Sequence, residues 1–141
     1  MTFITNNERE TALLGREIVQ KLNPPVCIAL YGELGAGKTF LTRAIVSALG
    51  YTGEITSPTY TLMHCYELED FNIYHFDAYR INNFESLQSS GFFDCFGGND
   101  IVIIEWADNI DKLLPKDTIK IKIGFAGETG REIEISGLDI N

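Results

Sequence analysis

The 141-residue sequence predicts an α/β fold with helices layered on a mixed, partly parallel central sheet, and three observations carry that expectation. Two runs, VCIALY at 26–31 and IVIIEW at 101–106, are apolar without alternation, the pattern of strands covered on both faces. Strand-like and helix-like segments alternate along the chain, which favours a layered arrangement of helices on a sheet. A glycine-rich octapeptide, GELGAGKT at 32–39, joins the first apolar run to an amphipathic segment. The length suits one domain over residues 1–141, with a single core.

Taken in order, residues 2–5 read as a short edge strand. Thr5-Asn6-Asn7-Glu8 fits a capping box, and Leu14, Ile18 and Leu22 recur on one face of the helix that follows. Pro24 and Pro25 close that helix. After the first buried strand and the glycine-rich loop, Leu41, Ile45, Ala48 and Leu49 mark the apolar face of a second helix, with Gly50 at its end. Residues 51–60 hold turn formers and read as a loop. Strands are expected at 61–68 and 72–79, joined as a hairpin about Asp70 and Phe71, then a short helix at 83–90 and a loop at 91–99. The last segment offers strands at 118–125 and 131–136 about a turn at Gly127 to Gly130.

Composition narrows the function. The net charge is −9 and the hydrophobic fraction 45%, with the eleven Lys and Arg residues scattered. Such a surface repels a polyphosphate backbone, so any role near RNA or DNA is expected to run through a partner protein. MTFITNNERE lacks the basic region and apolar run of a secretory signal, and no stretch approaches the ~20 apolar residues of a membrane span. Three cysteines without CxxC spacing suit reduced thiols. A cytoplasmic protein without membrane contact is therefore expected.

GELGAGKT matches G-x-x-x-x-G-K-[ST] in full, between a buried strand and an amphipathic helix, which is the context a phosphate-binding P-loop needs. Glycines 32, 35 and 37 can take positive φ and leave bare backbone for phosphate oxygens. The loop's N–H groups then form an anion nest, reinforced by the helix N-terminus. Binding of ATP with Mg²⁺ is expected along Gly32, Glu33, Leu34, Gly35, Ala36 and Gly37, with Lys38, Thr39 and Phe40 beginning the helix. Lys38 would reach the β- and γ-phosphates, and Thr39 would put its hydroxyl on Mg²⁺. An acid is needed beside that ion. Glu105, closing the run IVII, and Asp77, closing IYHFD on the same face as His75, are the two candidates. Thr56-Ser57-Pro58-Thr59 reads equally as a nucleotide-sensing switch loop or as plain turn chemistry. His64, His75 and Cys65 lack metal-ligand spacing. Trp106 reads as core, and Arg80 and Arg131 read as surface ion pairs that have phosphate within reach.

GELGAGKT, SPTYTL at 57–62, HFDAYR at 75–80 and IEW at 104–106, in that order and spacing, closely resemble the bacterial TsaE (YjeE) ATPase family of tRNA threonylcarbamoyladenosine biosynthesis. The resemblance runs from Leu14-Gly15 to the GRE at 130–132. It implies a small P-loop protein with a mixed sheet that hydrolyses ATP slowly and acts with the TsaD and TsaB subunits, meeting tRNA only through that complex. It further implies Thr39 and Glu105 at the Mg²⁺ site, with Glu105 also orienting water and Asp77 as the aspartate of HxDxYR. Thr59 would be the switch threonine, Glu8 would lie by the adenine and Arg131 near the nucleotide. Lys38, Asp77 and Glu105 are thus the expected catalytic residues. Ala107-Asp108 departs from the Pro-acid pair expected after Trp106. A small-molecule kinase and a nucleotide-gated interaction module are the alternatives. A GTP switch is disfavoured by the absence of an Asn-Lys-x-Asp motif.

Overall fold

Strand β2 (Val26–Gly32) runs along the middle of a seven-stranded sheet, which the computed structural model describes for residues 1–33, 35–55 and 63–140. Its neighbours on both sides, β5 (Ile101–Glu105) and β6 (Ile119–Ala126), are parallel to it. Beyond β5 lie β4 (Asn72–Asp77), also parallel, and β3 (Met63–Glu67), antiparallel. On the other side β7 (Gly130–Ser136) pairs antiparallel with β6, and β1 (Thr2–Thr5) antiparallel with β7. The order is β1-β7-β6-β2-β5-β4-β3, the mixed, partly parallel sheet expected. Every residue of β5 and four of the seven in β2 are buried, as their unbroken apolar runs require.

Alternation along the strands sorts the core into two layers. Ile28, Leu30, Ile101, Ile103, Ile121 and Ile133 pack against helices α1 (Glu8–Gln20) and α2 (Lys38–Ala48). Cys27, Ala29, Phe76, Val102 and Ile104 face the other way, onto helix α3 (Phe84–Ser89) and two 3-10 segments at Phe92–Asp94 and Ala107–Leu113. In α1, Leu14 and Ile18 are the buried stripe and Leu22, just past the helix, packs partly against the same cluster. The two helices cross closely at Gly15, where a Cβ would stand 3.0 Å from that of Ala44. Behind the sheet, the Tyr31 hydroxyl donates to Asp111, which also pairs with Lys120 at 2.9 Å, so the segment after β5 is tied to β2 and β6. Among the described residues no helix is long and apolar enough to cross a membrane.

The capping box falls two residues later than expected. Asn7 is the N-cap: its side chain accepts from Glu10 N at 2.9 Å, and Glu10 Oε1 accepts from Asn6 N at 2.9 Å. Thr5 belongs to β1 instead, paired with Arg131, and its buried hydroxyl meets that of Thr11 at 2.7 Å. Strand pairing with β7 outbids the cap because it satisfies backbone groups that would otherwise be orphaned. The hairpin of β3 and β4 forms as expected, closed by Leu68 N donating to Phe71 O at 3.0 Å, with β4 ending at Asp77 rather than residue 79. The 3-10 segment after Trp106 is an element that periodicity did not announce.

Two expected outcomes follow from this packing. Gly32 sits at φ 143°, and a Cβ there would lie 2.3 Å from the carbonyl oxygen of Ile123 on β6. Backbone strain and overpacking together put the loss for Gly32→Ala at about 3 kcal/mol. A thermal melt then falls by about 10 °C, and an unchanged midpoint would contradict the close approach of β2 and β6. The thiols give a second check. Cys65 is exposed, whereas burial pushes Cys27 up to about 12 and Cys95 to about 11. A thiol reagent at pH 8 should label Cys65 in the native protein and the other two about 100-fold more slowly or less, until denaturant is added.

Candidate nucleotide site

The parallel register fixes where the site forms. Leu30 of β2 and Asp77 of β4 both pair with Glu105 of β5, so β4 and β5 finish at one level and β2 runs two residues further along β6. Ala78 N donates to Glu105 O at 2.9 Å and carries that ladder one step further. Two residues past Leu30 the glycine-rich loop begins, at the C-terminal edge of a parallel sheet where α/β proteins collect their ligands.

Gly32, Gly35 and Gly37 have φ of 143°, 82° and 109°, the left-handed backbone expected of them. Ala36 N donates to Glu33 O at 3.1 Å and closes the turn, with Ala36 fully buried. Leu34 lies outside the described residues, as does 56–62, so the expectations for Thr59 and the switch loop lie there too. Helix α2 starts on Gly37, which offers no side-chain cap. The first N–H groups of the helix are thus left for an anion, and the positive end of its dipole points the same way.

Lys38 is only 5% exposed, and its Nζ donates to Gly32 O at 2.5 Å and Glu33 O at 2.9 Å. It also stands 3.8 Å from the centroid of the Trp106 ring. Burial lowers its pKa, while Glu105, Asp108 and Asp77 work in the opposite direction and favour the cation. Three carboxylates therefore act on one ammonium group. The substitution of Ala107-Asp108 for the expected pair leaves an acid acting on the lysine.

Glu105 is 3% exposed and uses its two oxygens differently. Oε1 accepts from Thr39 Oγ1 at 3.0 Å, and Oε2 meets His75 Nε2. Hydroxyl and carboxylate are hard oxygen donors suited to Mg²⁺, which takes few protein ligands and completes its shell with phosphate and water. No group of three or more His, Cys, Asp or Glu side chains placed to hold a metal occurs among the described residues. Asp77 shares the face of Glu105, and its Oδ1 accepts from Tyr79 N at 2.9 Å.

A cleft of about 210 Å³ opens beside the loop, between the start of α1 and β7. Glu8, Gly35, Ala36, Gly37, Phe40 and Arg131 line it together with Asn7, Thr11, Ile123 and Thr129. Residues expected at the nucleotide from opposite ends of the sequence are thereby gathered in one place, while Lys38, Asp77 and Glu105 stand outside that cleft. Arg131 has no ion pair among the described residues. Its Nε donates to Ala36 O at 2.7 Å and its Nη1 to Gly130 O at 2.8 Å, and its guanidinium lies 4.9 Å over the Phe125 ring. It braces the loop from β7, in contrast to the surface pairing read from sequence. Arg80 is exposed.

Two residues at the site were read differently from sequence. Trp106 is half-buried against Lys38 and Tyr79, and takes φ 58°, the only non-glycine residue with positive φ among those described. Such a conformation in a bulky residue is strained and marks functional ground. From sequence His75 lacks metal-ligand spacing and shares a face with Asp77, with no role of its own. Its alternation with Asp77 was the available signal, since one face of β4 had to carry both toward Glu105.

Comparison with known proteins agrees with this geometry. Residues 5–133 match the family model described as threonylcarbamoyl adenosine biosynthesis protein TsaE. The chain is 40% identical over 121 residues to the tRNA threonylcarbamoyladenosine biosynthesis protein TsaE of Haemophilus influenzae, covering 84% of this chain and 76% of that one. It is 38% identical over 130 residues to the protein of the same name from Rickettsia felis, covering 92% and 75%. The crystal structure of YdiB from Bacillus subtilis superposes with a TM-score of 0.77 at 28% identity, covering all of this chain and 86% of that one. With the fold, the motifs and the sequence in accord, the chain belongs to the TsaE family of tRNA threonylcarbamoyladenosine biosynthesis proteins.

Proposed function

We propose that this chain binds ATP with Mg²⁺ at the loop 32–39 and hydrolyses it slowly, as an accessory ATPase that resets a TsaD–TsaB complex between rounds of tRNA modification. The observation that carries the reading is the convergence of Lys38, Thr39 and Glu105 at the ends of parallel strands, below an uncapped helix N-terminus. The loop's N–H groups and α2 hold the phosphates. Lys38, whose pKa burial lowers against the opposing pull of Glu105, Asp108 and Asp77, would act as the cation that neutralises charge building up on the transferring phosphoryl group. Thr39 and Glu105 would hold Mg²⁺, which when bound would supply positive charge against the phosphates. Glu105, fixed by two hydrogen bonds, orients the attacking water, and Asp77 lies beside it on the same edge. The cleft lined by Glu8, Phe40 and Arg131 receives the nucleoside. A chain of net charge −9 is ill suited to hold tRNA itself, which favours docking on protein subunits that do.

In multiple-turnover modification with purified TsaD, TsaB, tRNA and the threonylcarbamoyl donor, wild type should sustain product formation. Lys38→Ala or Glu105→Ala should fall to the level without this protein, their ATP turnover dropping by about 10²-fold. Equal product from the variants and wild type would sink the reading. Arg131→Ala removes the brace on Ala36, and titration with a fluorescent ADP should show affinity about 10-fold weaker, the worth of one charge-assisted hydrogen bond. Unchanged affinity would separate the brace from binding.

A further inference from the structure

His75 is the most completely buried ionisable side chain near the site, with no exposed surface at all, and it touches the site only through Glu105. It pairs in register with Ile103, one step before the Asp77–Glu105 pair, and points to the same side of the sheet. Its Nε2 meets Glu105 Oε2, while the other oxygen of Glu105 takes the Thr39 hydroxyl. Each carboxylate oxygen thus has its own donor, which leaves the side chain one orientation. The imidazole is itself held, its ring 6.3 Å from that of buried Tyr66 and tilted by 32° to it.

The hydrogen-bond pattern also fixes which nitrogen carries the proton. Nδ1 is buried without a hydrogen-bond partner among the described residues. A proton on Nδ1 would bury an unpaired N–H and set the bare Nε2 against a carboxylate oxygen. A neutral ring with its proton on Nε2 donates to Glu105 and leaves only a lone pair unmatched. The contact is therefore a donation from histidine to glutamate, the arrangement by which an outer residue orients a metal ligand.

We propose that His75 is a positioning residue: by donating from Nε2 it holds Glu105 in the orientation that serves Mg²⁺ and the attacking water. This rests on the ATPase reading above and adds a residue to it. Two substitutions separate the hydrogen bond from simple packing. His75→Phe keeps the ring and loses the donor; His75→Gln loses the ring and keeps an N–H within reach of Glu105. The measurements are kcat and KM for ATP, the affinity for Mn²⁺ in the presence of ADP followed by electron paramagnetic resonance, and the thermal midpoint.

The Phe variant should lose about 10- to 100-fold in kcat and about 10-fold in Mn²⁺ affinity, with KM for ATP moving less than about 3-fold. The Gln variant should stay within about 5-fold of wild type in both, whatever its midpoint. The reverse order, with Phe near wild type and Gln impaired, would overturn the proposal in favour of packing alone. Should the Phe variant not fold, the Gln variant decides: near-wild-type Mn²⁺ affinity supports the donor role, and a loss as deep as that of Glu105→Ala overturns it. A wild-type protein that neither turns over ATP nor binds Mn²⁺ with ADP would remove the ATPase reading itself. Failure of His75 alone leaves that reading standing.

Discussion

Strands β2 and β5 are hydrogen-bonded to each other and each to a second parallel neighbour, and both are covered on their two faces, so they have less choice of place than the outer strands. The two layers of contacts of β2 fix the register of β5 and β6, and β5 in turn fixes β4. Because parallel strands run the same way, their ends must gather on one edge. The row Leu30–Glu105–Asp77 follows from that alone, and so does the position of the loop two residues further on. Side chains that are 66 residues apart in sequence, such as Thr39 and Glu105, then meet at hydrogen-bond distance.

The site concentrates charge where the fold is driest. Lys38 and Glu105 are both nearly buried, and an isolated ion at either position would be costly to desolvate. The protein answers with partners: backbone carbonyls and an aromatic face for the ammonium, a hydroxyl and an imidazole for the carboxylate. Each group is oriented by the contacts that make its burial tolerable. In the proposed ATPase, such preorganisation would stabilise developing charge without rearrangement.

The sheet's centre was readable because unbroken apolar runs have few other uses in a chain of this length. The P-loop was readable because its glycines and its flanking strand and helix each have a separate physical reason. Where two residues could serve the same local role, pattern failed. Thr5 and Asn7 are both good caps, and only the partnership of β1 with β7 decides between them. The segment after Trp106 has no period to read, since its course is set by the left-handed backbone of that tryptophan and by Asp111 reaching Tyr31 and Lys120. His75 and Arg131 act through partners far along the chain, Glu105 on β5 and Ala36 in the loop, and spacing shows at most which face a residue takes, not the partner it meets.

Strand β1 has one neighbour in the sheet, β7, and the backbone N–H of Ile135 donates to the carbonyl of Met1 at 2.8 Å. The brace on the phosphate loop likewise comes from Arg131. Both the opening strand and the glycine-rich loop therefore depend on β7, whose Arg131 lies 95 residues beyond Ala36 in the chain. Contacts of such long sequence separation form late, because the loop they close is entropically costly until the remainder is in place. A nascent chain emerging from the ribosome would hold the whole of GELGAGKT well before it held the brace. The bracing of that loop thus waits on β7, whose pairing with β6 and β1 completes its side of the sheet.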